Sequence, residues 1–286
     1  MNYVTKPLAA GLYFVATPIG SARDITLRGL DILASADVIA AEDTRTARKL
    51  MDIHGVPLNG RQVVSFHDHS GENGVNGLVA LIKDGKSMAY VSEAGTPLVA
   101  DPGYELGRAA IDEGLLVTSA PGPSAILAAL TVSGLATDRF AFVGFLPSTT
   151  AQRQSEIADL RDTPFTLVFY ESPKRVKEML ADLRDTLGAE RSAVVCRELT
   201  KKFEEVSRGT LGELADQFSA RTVKGELVVL VGRAGATQIE AADIDTALRS
   251  AMETMRVKDA ATAVAGAMGL PRRQVYQRAL ELGRDE

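Results

Sequence analysis

Ser87-Met-Ala-Tyr-Val-Ser-Glu-Ala-Gly-Thr-Pro-Leu-Val-Ala-Asp-Pro-Gly103 decides the fold of this chain. The run Ser87–Val91 has strand length and carries no charge, and the Gly95-Thr96-Pro97 turn ends it. Asp101 and Pro102 then read as the N-cap and first residue of a helix. A strand, an irregular loop and a helix in that order are the repeating element of a parallel α/β sheet. Taken alone, the loop is an ordinary βα connection. Its significance comes from recurrence, because open parallel sheets bind small molecules beyond the carboxyl ends of their strands.

Working outward, apolar runs of strand length recur at 12–17, 38–41, 63–66, 88–92, 115–119 and 140–143. Helical periodicity lies between most of them, as in Leu27, Leu30, Ile32, Leu33 and then Leu50, Ile53. The alternation predicts a mainly parallel sheet. A second series follows at 165–170, 193–196, 203–207 and 227–231, with helices near 175–187 and 211–218. The break between the series is expected near Pro121 to Pro123. After Gly232 no strand-like run remains, and Ala241–Met252, Val257–Met268 and Arg272–Leu282 read as three short helices, the last two separated by Gly269-Leu270-Pro271. They form a helix-turn-helix-like appendage or a plain helical cap or dimerisation element. The expected domains are 1–121 and 122–236, both α/β, and the appendage 237–286.

Composition narrows the function. A chain of 286 residues with 45% hydrophobic residues can bury one large core or two medium ones. The single cysteine, Cys196, excludes an internal disulfide and sits in an apolar run, so it reads as a small core residue in a reducing cytoplasm. Residues 8–16 resemble a secretory signal in length, but Pro18-Ile19-Gly20 continues them as a strand and turn, and no run is long enough to span a bilayer. With 32 Lys and Arg against 37 Asp and Glu, the net charge of −5 weighs against a nucleic-acid partner. Charge is local, however, and Lys174-Arg175, Lys201-Lys202 and Arg272-Arg273 are basic pairs that can share a face.

The strand ends hold the polar constellations. Thr17-Pro18-Ile19-Gly20-Ser21 follows the first strand, but the three-glycine dinucleotide fingerprint is absent. Ala41-Glu42-Asp43-Thr44-Arg45 places two carboxylates and an arginine where catalytic groups collect; Asp43 or Thr44 capping a helix, with Arg45 in a local ion pair, is the plainer reading. His67-Asp68-His69 is the one histidine cluster, and without a third ligand no metal is expected. Pro121-Gly122-Pro123-Ser124-Ala125 opens an apolar helix whose free amides suit a carboxylate or ribose hydroxyls. Tyr170-Glu171-Ser172-Pro173, Arg197-Glu198-Leu199-Thr200-Lys201 and Lys224-Gly225-Glu226 repeat the pattern in the second half. Neither a nucleophile elbow nor a Walker phosphate loop occurs.

Taken together, Leu12 to Gly20, Ala41 to Arg45, Val91 to Pro97, Asp101 to Tyr104, Pro121 to Ser124, Gly144 to Pro147, Glu198 to Lys201 and Lys224 to Glu226 resemble the tetrapyrrole methylase superfamily. Within it they are most similar to the ribosomal RNA small subunit methyltransferase I group, with a weaker match at Val275-Tyr276 and Ala279-Leu280. The resemblance implies two α/β domains of class III methyltransferase type with a ligand cleft between them, acting as a homodimer. It implies S-adenosylmethionine as cofactor and 2′-O-methylation of a cytidine ribose in the decoding region of 16S ribosomal RNA, within the small ribosomal subunit. By position the cofactor would meet Pro18 and Gly20, Glu93, Ala94, Gly95 and Thr96, Ser124 and Ala125, Tyr170, and Gly225 and Glu226. The family carries Asp where this chain has Glu93, and Asn-Leu where it has Ser21-Ala22.

The chemistry constrains the roles further. Methyl transfer is an in-line displacement, so alignment is the protein's main contribution. A ribose hydroxyl is a poor nucleophile, and a carboxylate or neutral lysine beside it would remove its proton. Asp43, Glu42 and Lys201 are the candidates, with Arg45 orienting the carboxylates or a phosphate. A methyltransferase acting on a small tetrapyrrole precursor is the competing reading, and a non-catalytic RNA-binding module a third; the helical tail favours the RNA enzyme.

Overall fold

The computed structural model describes residues 2–67, 70–234, 241–268 and 272–282. They form two compact units, Met1–Arg233 and Ala234–Glu286. In the first unit β1 (Gly11–Val15), α1 (Leu27–Ser35), β2 (Val38–Ala41), α2 (Thr44–Ile53), β3 (Gln62–Ser65), α3 (Gly71–Lys83), β4 (Ser87–Val91), α4 (Tyr104–Asp112) and β5 (Val117–Ala120) alternate along the chain. The strands pair in parallel in the order β3-β2-β4-β1-β5. Alternation along the strands fixes two apolar layers. Tyr13, Val15, Ile39 and Val91 pack with Leu30, Leu33 and Met51 from α1 and α2. Leu12, Phe14, Met88 and Tyr90 pack on the other face with Leu78, Ile82 and Leu106 from α3 and α4.

The second sheet departs from the expected parallel pattern. After α5 (Ala125–Ser133) come β6 (Phe140–Phe145), α6 (Thr150–Asp159), β7 (Thr166–Glu171), α7 (Val176–Leu187), β8 (Ser192–Arg197), β9 (Glu205–Thr210), α8 (Leu211–Ser219) and β10 (Leu227–Val231). Their order is β6-β7-β10-β8-β9, and only β6 with β7 is parallel. The short β8–β9 turn cannot carry a crossover helix, so that pair is antiparallel, and β10 inserts between β7 and β8. Run 140–143, which ended the first sequence series, belongs to this sheet. Cys196 is buried within it as expected, and burial pushes its thiol up to about 11.

Two elements break the sequence expectation locally. Asp101 does not cap α4. The N-cap is Gly103, whose φ of 117° and close approach to the Tyr90 ring, 3.0 Å from where a Cβ would stand, require glycine. Tyr90 donates its hydroxyl hydrogen to Pro102 O at 2.9 Å, which fixes the turn there and moves the helix start past Asp101. Of the apolar periodic positions, Leu30, Ile32 and Leu33 are buried, but Leu27 and Ile53 are 65% and 55% exposed.

The second unit comprises α9 (Ala241–Met252), α10 (Val257–Met268) and α11 (Arg272–Leu282), with the bounds read from the sequence. It has its own core of Leu248, Ala261, Val264, Val275, Ala279 and Leu282. Arg278 holds Asp245 through two bonds of 2.7 and 2.6 Å. Residues 269–271 and 235–240 lie outside the described residues.

Candidate functional site

The loops at the carboxyl ends of the first sheet are bonded to one another. Thr17 donates its N–H to Gly95 O at 2.9 Å and Gly95 returns one to Thr17 O at 3.0 Å, joining the β1 and β4 loops. Thr96 donates its hydroxyl hydrogen to Pro123 O at 2.9 Å, which joins the β4 and β5 loops. Ser124 caps α5 by backbone geometry without a side-chain bond; of the first amides of that helix, that of Ile126 faces the Tyr170 hydroxyl. Ser92, at the mouth of the β4 loop, is 3% exposed, and its Oγ has no hydrogen-bond partner among the described residues.

The second sheet meets this edge from the other side. Ile19 packs among Ile126, Leu199, Val228 and Leu230, so one apolar cluster spans the two sheets. Ser21 donates its N–H to Thr200 Oγ1 at 3.0 Å, and a Cβ on Gly20 would lie 2.5 Å from Lys201 Cγ. Lys201 donates to Glu198 Oε1 and Glu226 Oε2, each at 2.9 Å. Glu226 donates its N–H to Glu198 Oε1 at 3.0 Å. Glu198 and Thr200 hold φ values of 51° and 63°, a conformation costly outside glycine and found where a site over-determines the backbone.

Tyr170 lies near the end of β7, facing the α5 N-terminus. Burial first, then the carboxylates of Asp101 and Glu226, push its hydroxyl up to about 12, while the Ile126 amide faces it and pulls the other way. The phenol is therefore neutral at physiological pH. Its ring meets Phe142 and Phe145 edge-on, with centroids 4.9 and 5.7 Å apart. Contacts thus run from Thr17 through Gly95, Thr96 and Pro123 to the α5 N-terminus and its Ile126 amide at Tyr170; Glu226 acts on Tyr170 through its charge, and Lys201 ties Glu226 to the turn beside Gly20. Pro18, Gly20, Ala94, Gly95, Thr96, Ser124, Ala125, Tyr170, Gly225 and Glu226 lie on or beside this ring.

Glu42, Asp43, Arg45 and Glu93 are one step outside it. Glu93 donates its N–H to Glu42 Oε2 at 3.2 Å. Asp43 is the N-cap of α2, accepting from Arg45 N–H at 2.7 Å, and it also grips the Arg45 guanidinium through both oxygens at 3.2 and 2.9 Å. Those bonds hold its carboxyl at about 2. The capping and ion-pair reading of Asp43 is therefore present in full.

Burial acts to lower the pKa of Lys201, but the bonds to Glu226 and Glu198 outweigh this and raise it, which favours the ammonium over a neutral amine. Two members of the basic pairs are engaged locally: Lys201 by those carboxylates, and Arg175, which donates to Leu146 O and Pro147 O at 2.6 and 2.9 Å and faces Glu171 at 3.3 Å. Sequence reasoning quoted Thr17, Asp101, Glu198 and Thr200 within their motifs without assigning them to the site; in the structure Gly225 marks Glu198, because a Cβ there would lie 2.5 Å from the Glu198 carboxyl carbon. His67 donates its N–H to Ser70 Oγ, and Asp68 and His69 lie outside the described residues.

Two open α/β sheets meeting at their strand-end loops define the fold of the tetrapyrrole (corrin/porphyrin) methylases, and residues 11–215 match that family. Residues 238–283 match the RsmI C-terminal HTH domain. Cobalt precorrin-4 methyltransferase, a cobalamin biosynthetic enzyme, superposes with a TM-score of 0.59 at 20% identity, over 77% of this chain and 94% of that one. Uroporphyrin-III C-methyltransferase from Thermus thermophilus gives 0.55 at 21%, over 79% and 95%. Among curated relatives, the ribosomal RNA small subunit methyltransferase I of Mesorhizobium japonicum is 48% identical over 278 residues, 97% of this chain and 94% of that protein. Its counterpart in Mycobacterium tuberculosis is 43% identical over 272 residues, 94% of each. The chain belongs to the tetrapyrrole methylase family and, within it, to the ribosomal RNA small subunit methyltransferase I group.

Proposed function

We propose that this protein transfers a methyl group from S-adenosylmethionine to the 2′-hydroxyl of a cytidine in the decoding region of 16S ribosomal RNA, as a homodimer acting on the small subunit in the cytoplasm. The observation that carries the reading is the ring of strand-end loops, with the β1, β4 and β5 loops bonded to one another and Lys201 tying Glu226 beside Gly20, in a chain matched along nearly its whole length by relatives named for small-subunit ribosomal RNA. The domains 1–121, 122–236 and 237–286 divide the work: the first two supply the ring, and the third gives RNA a further surface.

The ring suits an amino-acid and nucleoside ligand. Ser92 Oγ, buried and without a partner among the described residues, and the amides of Ala125 and Leu127 that open α5 are donors for a carboxylate or hydroxyls. Gly20, Gly95 and Gly225 let backbone come close, and Ile19 and Ile126 supply an apolar wall. When bound, the cofactor supplies a sulfonium methyl for in-line displacement. Glu42, whose Oε2 is fixed by the Glu93 amide, takes the ribose proton as the new O–C bond forms and returns it to solvent. Asp43 holds Arg45 for a backbone phosphate, and Lys201 stays a cation that binds the β8–β9 turn to Glu226.

The helical tail and the curated relatives favour RNA over a small tetrapyrrole precursor. The test is nucleoside mass spectrometry of 16S ribosomal RNA from cells with and without the gene, followed by restoration with purified protein and S-adenosylmethionine. A 2′-O-methylcytidine that vanishes and returns supports the reading. Unchanged RNA together with turnover on a tetrapyrrole would replace it.

A further inference from the structure

We propose that the outer face of α2 and the groove at its C-terminal end bind the RNA strand flanking the methylated nucleotide; this rests on the RNA reading above. Arg45, Arg48 and Lys49 stand at i, i+3 and i+4, so they share one face of the helix, and all three are exposed. Asp52 is the one carboxylate against them in α2. Arg48 and Lys49 make no ion pair among the described residues. The helix begins immediately after Glu42 and Asp43, so the stripe starts at the proposed proton acceptor. At 1.5 Å per residue it leads about 12 Å away, to Ile53.

There it reaches a groove of about 360 Å³ whose lining includes Arg23, Leu27, Ile53 and His54. Leu27 and Ile53 occupy periodic apolar positions yet stay exposed, so the fold leaves these two side chains to the groove. His54 Nε2 lies 2.8 Å from Ala22 O, which ties the groove to the turn following Gly20 and Ser21. Apolar walls beside a guanidinium and an imidazole accept an unstacked base, and a line of cations accepts the phosphates that follow it. An apolar pair alone would suit a protein partner. Cations in helical register leading to that pair, in a chain of net charge −5, favour a polyanion with bases.

The experiment compares full-length wild type, R48E, K49E, L27A/I53A and K86E on small ribosomal subunits, and on the 16S ribosomal RNA extracted from them, from cells lacking the modification. Methyl transfer and fluorescence-anisotropy binding are both read. K86E changes the charge as much as R48E does, but at the amino end of β4, away from the strand-end loops. R48E and K49E are expected to raise KM and Kd for RNA about 5- to 10-fold each and to reduce the salt slope by about one. kcat and S-adenosylmethionine affinity should stay within about twofold, since these residues touch neither reacting atom. L27A/I53A should weaken RNA binding without changing the salt slope, and K86E should match wild type. R48E and K49E indistinguishable from K86E would overturn the proposal, as would a change of oligomeric state by light scattering in place of the RNA effect. Wild type that binds the RNA but does not methylate it sinks only the functional reading, and the variants are then judged on binding. Wild type that does neither sinks both.

Discussion

Lys201 Nζ lies 2.9 Å from Glu226 Oε2, so a turn after β8 is bonded to the turn that opens β10, directly beside Gly20 of the first sheet. The same ammonium holds Glu198 at 2.9 Å. Removing it leaves two carboxylates facing one another with no counter-charge. K201M should therefore weaken S-adenosylmethionine binding about tenfold, and K201R should recover most of the loss. A lysine acting as a base gives the opposite pattern, with K201R dead and cofactor affinity intact. The pH dependence has a definite sign: because the folded pKa lies above 10.5, the stabilisation is complete below that value and lost as pH rises through the raised one. Thermal melts of wild type and K201M should keep a constant gap up to about pH 10 and converge above it.

Gly225 has a φ of 91°, and a Cβ there would stand 2.5 Å from Glu198 Cδ. G225A combines left-handed strain with a clash against a carboxylate that is itself held by Glu226 N–H and Lys201. A loss of about 2 kcal/mol in unfolding free energy is expected. Calorimetric titration should show cofactor affinity falling further than the Tm shift alone accounts for, because Glu226 moves with the turn. A G225A protein with wild-type affinity would remove the Glu198–Glu226 turn from the cofactor ring.

How legible all this was in the sequence depends on the range of the determining contact. The strands of the first sheet and the three tail helices follow from local apolar period, and they stand close to where the residues put them. The Asp101 cap failed because a contact across the β4 loop, Tyr90 against Gly103, outranks the local N-cap preference. The antiparallel pairings of β10 depend on which strands it inserts between, and period 2 carries no strand direction. The pairing of Lys201 with Glu226 is not legible locally, because Glu226 is 25 residues away, beyond any local pattern. Leu27 and Ile53 looked like core because helical period marks an apolar face without saying whether another element covers it.

Asp43 orients Arg45 and caps α2, and its carboxyl lies at about 2 because of those bonds to the Arg45 side chain and backbone. D43A is expected to lose methylation while still binding cofactor, since no ring contact passes through it; full turnover in D43A would remove Asp43 from the site. D43N keeps much of the cap but loses the charge. Since the folded pKa is lowered from 3.8, the carboxylate stabilises above that value and ceases to do so as pH falls towards 2. The Tm difference between wild type and D43N should be full at pH 6 and shrink below pH 4. Any ionisation seen in the rate profile above pH 5 belongs to another group.

Thr96 Oγ1 to Pro123 O is the one side-chain bond described between the β4 and β5 loops, at 2.9 Å. T96V removes the donor at nearly constant volume, and a neutral bond of this kind contributes about 1 kcal/mol. Cofactor Kd should rise about fivefold with the Tm nearly unchanged, because the carbonyl of Pro123 can turn to solvent. Glu93 gives the contrasting case. It is bound to Glu42 through its backbone N–H at 3.2 Å, a contact indifferent to side-chain length, so E93D should hold S-adenosylmethionine within about twofold of wild type. A large effect of E93D measured by the same titration would mean that the Glu93 carboxylate, and not its amide, is what the site uses.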